Sequence, residues 1–187
     1  MEIAEEQKDA PGKDWAKKIS QGDKHAFEEL FFTYFVDLCS YALQITNSNQ
    51  RAKDIVQEVF YKLLRRREQW STHTPVKAYL FRAVRNEALN YLDKKEHRQQ
   101  VREQFSIGTD DRMARQATRG DEADSELVGA IWDVVSDMPQ RRQSVFVLHR
   151  KHGLSYKEIA EVLDITRKTV ENHMGLALDD IRDSIYI

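Results

Sequence analysis

The chain has little of what builds turn-rich or cross-linked folds. Its 187 residues include three prolines and seven glycines, too few turn-formers for a sandwich or barrel of many short strands. A single cysteine, Cys39, excludes an internal disulfide framework and fits a reducing compartment. Its neighbours in FVDLCSYAL are largely apolar, so the thiol reads as buried packing. No apolar run approaches the roughly 20 residues that cross a bilayer as a helix. The N-terminal MEIAEEQKDAPGKDW lacks the apolar core of a secretory signal. The expectation is a cytoplasmic protein. Excess charge is also missing, with a net of −2, so the total does not announce a nucleic-acid binder.

What is present is segregated charge and helical periodicity. Hydrophobic residues make up 41% and charged residues 32%, a balance that suits a helix-rich globular protein. Residues 51–103 hold 13 Lys/Arg against 7 Asp/Glu, a net of +6, and residues 104–126 hold 3 against 6, a net of −3. A basic segment followed by an acidic one tells more than the sum. After a short helix at 14–20 and a break at Gly22, Phe27, Leu30, Phe31, Tyr34, Phe35 and Leu38 predict a helix over 24–46. Ile55, Val56, Val59, Phe60, Leu63 and Leu64 predict a second over 50–68. A third opens with Thr74 as cap and Pro75 as first helical residue, keeping Val76, Leu80, Val84, Ala88, Tyr91 and Leu92 inward.

Residues 104–126 carry Gly, Thr, Ser and acids without an apolar stripe, and read as an interdomain linker. Regularity resumes with Leu127, Ile131, Val134 and Val135. The helix after it opens at Pro139 and closes at Gly153 in a left-handed cap. No strand pattern and no repeat occur. The expected fold is all-α, two small helical domains joined by a flexible linker. An N-terminal arm and short helix occupy 1–23, and the domains occupy 24–103 and 127–187.

The second domain carries the clearest motif. Ser155 and Glu158 form a capping-box pair, opening a helix with Ile159, Ala160 and Leu163 inward. Asp164-Ile165-Thr166 is a turn, and Thr166 can cap a last helix whose buried stripe is Val170, Met174, Ala177, Leu178 and Ile181. Such a pair is a helix-turn-helix, whose second helix can enter a major groove. On its outer side Arg167 and Lys168 suit phosphate or guanine, and Asn172 suits adenine. Glu171 suits cytosine or a neighbouring cation. The competing reading is a packing module with a solvated polar face; cap, turn and apolar spacing together favour DNA. Asp179, Asp180 and Asp183 would repel phosphate and turn that end away.

Two other stretches are ambiguous by themselves. Asp54, Gln57, Glu58 and Tyr61 share one face of the second helix. Two carboxylates one turn apart suggest acid–base work or a metal, but no His or third carboxylate stands at ligand spacing. A solvated or protein-docking face is the better reading. Trp70, Tyr79 and Phe81 interleave with Lys77, Arg82, Arg85, Lys94 and Lys95. Aromatics beside cations are what unpaired bases and their phosphates require; equally, Tyr79 and Phe81 could be core and the cations solubilising. His149 and His152 read as surface residues rather than zinc ligands. There is no Gly-rich phosphate loop, nucleophile elbow or triad. No enzymatic activity, cofactor, metal or small-molecule substrate is expected.

Together these residues resemble a known family. DIVQEVFYKLL (54–64), followed by PVKAYLFRAVRNEALNYL (75–92), resembles region 2 of bacterial sigma factors. MPQRRQSVFVLHRKHGLSYKEIAEVLDITRKTVENHM (138–174) resembles their region 4. The length and short linker are similar to the extracytoplasmic-function group, and KTVENH to its iron-citrate-type branch. The resemblance covers about residues 14–183. Both modules in the right order are more specific than a helix-turn-helix alone.

The resemblance implies a role for each stripe. Asp54, Gln57, Glu58 and Tyr61 would dock on the β′ clamp helices of core RNA polymerase, with the β subunit also a partner. Loop residues Trp70, Ser71, Thr72 and His73 would capture an unpaired minus-ten base. Lys77, Tyr79, Arg82, Arg85 and Asn86 would hold the melted promoter strand. Arg167, Lys168, Thr169, Glu171, Asn172 and His173 would read the minus-thirty-five element. The linker would thread toward the active centre. A membrane-anchored anti-sigma factor would hold the protein at the inner membrane, and it would act as a monomer within the holoenzyme. Two positions depart from the family: Tyr79 stands where tryptophan is common, and LDDIRDS is acidic where many relatives are basic. The runner-up is a LuxR-type regulator, because ITRKTVENHM also resembles that recognition helix. The helical 24–100 segment, in place of a receiver or ligand-binding domain, weighs against it. A protein-interaction module without DNA binding is the other alternative.

Overall fold

The computed structural model describes residues 15–70, 75–103 and 125–185. Among these there are helices and no strand, as the periodicity predicts. The chain divides into two compact units, Met1–Leu89 and Asn90–Ile187. Almost all of the expected linker, most of the N-terminal arm, and Ser71, Thr72, His73 and Thr74 lie outside the described residues.

The first unit contains α1 (Trp15–Ser20), α2 (Lys24–Thr46), α3 (Asn49–Arg65), a 3-10 turn (Arg67–Gln69) and the start of α4 (Val76–Glu103). Asp23 opens α2 by accepting the Ala26 N–H at 3.1 Å, and Ser48 opens α3 through the Arg51 N–H at 3.4 Å. Between them Asn47 takes the left-handed conformation, φ 52°, and returns its N–H to the Leu43 carbonyl. Asparagine tolerates that region better than most side chains, so the reversal fits within a few residues.

Leu30, Leu38 and Ala42 of α2, Val56 and Phe60 of α3, and Leu80, Phe81 and Val84 of α4 form a buried core. Phe60 meets Phe27 and Phe31 edge-on at 6.0 and 4.9 Å, and Tyr41 meets Phe81 at 5.3 Å. Trp15 fastens α1 by an edge contact to Tyr34 at 5.9 Å and by donating Nε1–H to Glu29 at 3.4 Å.

Three expectations change in this unit. Leu64 is 40% exposed rather than inward, because α3 packs through Val59, Phe60 and Leu63 and ends one residue after Leu64. The chain from 66 to 69 tightens into the 3-10 turn instead of continuing the helix. Pro75 stands just before α4, its carbonyl accepting the Tyr79 N–H at 3.1 Å, so it is the cap rather than the first helical residue. Its missing N–H is harmless at either place.

Cys39 is half-buried, and burial raises its thiol pKa against the opposing pull of Lys53. Burial also pushes the Tyr41 phenol well above its ordinary 10.0, with Arg85 pulling the other way. A raised folded-state pKa stabilises the fold fully below the unfolded value and loses that contribution as pH rises through it. Unfolding should therefore become easier above about pH 10, where the unfolded tyrosine ionises. Tyr41→Phe should flatten this alkaline limb in urea melts at pH 8 to 11. An unchanged limb would mean that Tyr41 does not govern it.

The second unit holds α5 (Ser125–Asp137), α6 (Gln140–Arg150), α7 (Tyr156–Leu163) and α8 (Arg167–Ile185). α8 packs on all three of the others. Leu148, Leu154, Ile159, Val162, Val170 and Met174 are buried between them, and Trp132 closes on Phe146 edge-on at 6.0 Å. The predicted capping box is present: Glu158 accepts the Ser155 N–H at 2.8 Å while Ser155 accepts the Glu158 N–H at 3.3 Å. Gly153 takes a positive φ of 62°, as expected after α6.

Other expectations fail here. Leu178, read as part of the buried stripe, is 43% exposed, and Leu127, where the apolar pattern resumes, is 56% exposed, since α5 and α8 meet the core through Val135, Val170, Met174 and Ala177. The two histidines are not surface residues. His152 is buried at the joint between α6 and α7. His149 donates its Nδ1–H to the Leu154 carbonyl at 2.9 Å and packs on Tyr156 at 5.0 Å. No group of three or more His, Cys, Asp or Glu placed to hold a metal occurs among the described residues.

Candidate nucleic-acid interface

α7, its turn and α8 form the helix-turn-helix. Asp164 ends α7 in the left-handed conformation, φ 55°, with its N–H on the Ala160 carbonyl. Thr166 then caps α8 by accepting the Thr169 N–H at 3.1 Å, and the two hydroxyls share a hydrogen bond of 2.8 Å. Val170 and Met174 anchor one side of α8 in the core. Arg167, Lys168 and Asn172 stand exposed on the other. Thr169 and His173 are only half exposed, and the Thr169 hydroxyl is already engaged by the cap. Glu171 lies 3.1 Å from Arg167 Nε and 3.8 Å from Lys168 Nζ.

Local energetics disfavour this arrangement. The N-terminus of a helix carries partial positive charge, and a cation there is disfavoured by about 0.3–1 kcal/mol when exposed. α7 obeys the rule with Glu158 in its first turn, whereas the first turn of α8 has Arg167 and Lys168 and no acid. Departures from local preference concentrate at functional sites. At the other end of α8 the acids are not bare. Asp180 pairs with Arg142 of α6, while Asp179 and Asp183 pair with Arg182 at 2.6 and 3.8 Å. Their repulsion of phosphate is weaker than the sequence suggests.

On α3, Asp54, Gln57, Glu58 and Tyr61 do form one outward stripe, with Tyr61 58% exposed. Leu64 lies at its edge and adds apolar surface. Asp54 is held by Gln50 at 3.0 Å and Arg51 at 3.3 Å. Glu58 shares Lys62 with Glu87 of α4, at 3.5 and 2.7 Å. The Glu87 hydrogen bond is the main reason that the Lys62 pKa is raised.

The aromatic and basic stretch separates into scaffold and surface. Phe81 is fully buried, and Trp70 is packed against Tyr79 at 5.7 Å. Trp70 is thus part of a wall rather than an exposed ring, and its Nε1–H finds no acceptor among the described residues. Arg82 and Asn86 are exposed one turn apart on α4. Arg85 is half-buried near Tyr41. Lys77 falls about 140° round the helix from Arg82, at roughly 100° per residue, and does not join that face.

Sequence reasoning missed an open pocket of about 460 Å³ where α3, the 3-10 turn and α4 meet. Val59, Leu63, Trp70 and Tyr79 supply its apolar lining, and Lys62, Arg66, Asn86 and Glu87 its polar rim. Its size lies within the ~300–1,000 Å³ range of small-ligand sites. The only sequence signal was the repetition Tyr79, Ala83, Asn86 and Glu87 on one side of α4.

Two sequence families match this chain: sigma-70 region 2 over residues 30–98 and sigma-70 region 4 over residues 129–181. The chain is 27% identical over 176 residues to an ECF RNA polymerase sigma-E factor of Haemophilus influenzae, covering 90% of this chain and 92% of that one. It is 23% identical over 171 residues to the RNA polymerase sigma-H factor of Pseudomonas aeruginosa, with 88% and 89% covered. In fold it is similar to CnrH, solved in complex with the cytosolic domain of CnrY (TM-score 0.62, 20% identity, 92% of this chain and 95% of that one). It is also similar to the sigma factor RpoE of Bartonella quintana, solved with the anti-sigma factor NepR (TM-score 0.61, 16% identity, 86% and 97% covered).

Proposed function

The chain belongs to the extracytoplasmic-function sigma factors, and from that premise we propose how its surfaces divide the work of promoter recognition. The outward stripe of Asp54, Gln57, Glu58 and Tyr61 docks on the β′ clamp helices of core RNA polymerase. The α4 face with Arg82 and Asn86 holds the melted minus-ten strand. The adjoining pocket receives one unpaired base, and Ser71, Thr72 and His73, next in sequence after Trp70, contribute to its capture. Trp70 and Tyr79 build its wall, and the exposed Asn86 amide offers hydrogen bonds to a base edge. The first turns of α8 read the minus-thirty-five element in the major groove. The polymerase makes the bonds, and this protein supplies promoter choice and strand opening.

One observation carries the reading. A helix-turn-helix with Arg167, Lys168 and Asn172 exposed shares a chain with a solvent-facing acidic and aromatic stripe on α3. The LuxR-type alternative has no counterpart for residues 30–98, which match sigma-70 region 2. The similar proteins CnrH and RpoE were each solved with a partner protein, which supports an anti-sigma factor as the regulatory partner. A narrower placement in the iron-citrate-type branch rests on the KTVENH wording alone.

Transcription by core polymerase on fragmented bacterial genomic DNA tests this, with and without the chain. Promoter-specific transcripts should appear only with it. Arg167→Ala and Asn172→Ala should each alter minus-thirty-five preference while binding to core persists, with about 1–3 kcal/mol of discrimination lost per base contact. If the chain fails to bind core polymerase, the reading fails.

A further inference from the structure

We propose that Glu171 is a positioning residue for promoter readout. Its carboxylate holds the Arg167 guanidinium by Nε and leaves both terminal nitrogens as a free fork for a guanine edge in the minus-thirty-five element. The inference rests on α8 being the reading helix.

The geometry separates this role from two others open to a glutamate at this position. A carboxylate that reads a base directly accepts from the amino group of cytosine. Both Glu171 oxygens already face cations, Arg167 Nε at 3.1 Å and Lys168 Nζ at 3.8 Å. The Glu171 side chain is also the least exposed of the three, 37% against 72% for Arg167 and 78% for Lys168, so the cations offer more surface to an incoming duplex. A purely stabilising pair is the second alternative. Arginine before glutamate at this spacing is the weaker order for helix stability, and it places both cations at the unfavourable end of α8. The pair does little for the helix that carries it.

What the pair does is orient. Arginine presents five donors in a rigid plane, and guanine is read by two of them together at O6 and N7. Bound through Nε, Arg167 keeps its terminal nitrogens without another partner among the described residues. Holding the plane before contact lowers the rotamer entropy lost on binding. Lys168, on the longer pair, remains free to swing to a phosphate. The acid has an opposite effect on backbone binding, since its charge repels phosphate at close range. Removing that charge should therefore weaken base choice while strengthening sequence-blind binding. A merely structural residue would not move the two in opposite directions.

The test uses the full chain bound to core polymerase and a duplex library randomised at the minus-thirty-five segment, upstream of a promoter selected with the unaltered protein. Arg167→Ala, Glu171→Gln and the double variant are compared for base preference at each position, and for salt-dependent binding to random duplex. Arg167→Ala should erase a guanine preference at one position. Glu171→Gln should reduce the same preference about tenfold, raise binding to random duplex, and add nothing when combined with Arg167→Ala. Circular dichroism should show unchanged helix content. Retained guanine preference in Glu171→Gln would overturn the proposal and leave the reading helix standing. Loss of a cytosine preference at a different position would do the same, by making Glu171 a direct reader. No change from Arg167→Ala at any position would remove α8 as the reader, and the proposal with it.

Discussion

Phe81→Ala is expected to remove about 3–5 kcal/mol of stability, a large share of the roughly 5–15 kcal/mol that holds a typical domain. Phe81 is fully buried, and its ring lies 5.3 Å from that of Tyr41, tilted by 47°. Leu80 and Val84 beside it on α4 are equally enclosed, so little can move into the space that the ring would leave. The lost transfer energy and the uncollapsed cavity therefore add. The loss should appear in urea unfolding followed by tryptophan fluorescence, because Trp15 and Trp70 are both buried in the same unit. A Trp132→Phe background removes the signal of the second unit. With a slope of about 1–3 kcal/mol per molar urea, the midpoint should fall by more than about 1 M. A shift smaller than that would show that the site collapses around the truncation. The functional consequence should follow, since Arg82, Asn86 and the pocket wall at Tyr79 share the helix that Phe81 anchors. Promoter opening should fail through misplacement of these groups.

The sequence displayed what is local and hid what is not. Ser155 and Glu158 form a cap whose two partners lie within one turn, so the pattern alone locates α7. The bounds of α2 follow in the same way from Asp23, Asn47 and an unbroken apolar stripe. Periodicity marks an apolar residue without saying whether a neighbour reaches it, which is why Leu64 and Leu178 fit an inward stripe and yet lie exposed. His152 fails in the reverse sense. A polar residue at a helix end reads as surface, and only the joint with α7 buries it. The tie between Arg142 and Asp180 spans two helices distant in sequence, so the acidic end of α8 looked more repulsive than it is. The proximity of Glu171 to Arg167 was legible from spacing. Whether the acid faces the cation or a base was not, because that depends on how far each side chain extends from α8.

The stripe proposed to dock on polymerase gives the second large effect. Tyr61→Ala should weaken core polymerase binding by about 2 kcal/mol or more, roughly thirtyfold, while leaving the fold intact. Tyr61 is 58% exposed and meets no ring or hydrogen-bond partner among the described residues. Its removal costs the free chain little, so a loss of affinity would report an interface contact. Leu64 at the stripe's edge is a further exposed apolar group, and exposed apolar residues gathered among acids suit a protein contact better than a solvated face. Asp54 and Glu58 act differently. Their pairs with Arg51 and Lys62 lie at the surface, where such pairs contribute about 0–1 kcal/mol. Lys62 keeps Glu87 if Glu58 is removed. Asp54→Ala with Glu58→Ala should therefore spare stability, slow association and flatten its salt dependence, since rim charges steer encounter more than they hold a complex. Binding rates at two salt concentrations separate these effects, with urea melts of each variant as the control for folding. If a chain carrying Asp54→Ala, Glu58→Ala and Tyr61→Ala together folds normally and binds core polymerase as tightly and as fast as the unaltered chain, this stripe is not the docking surface.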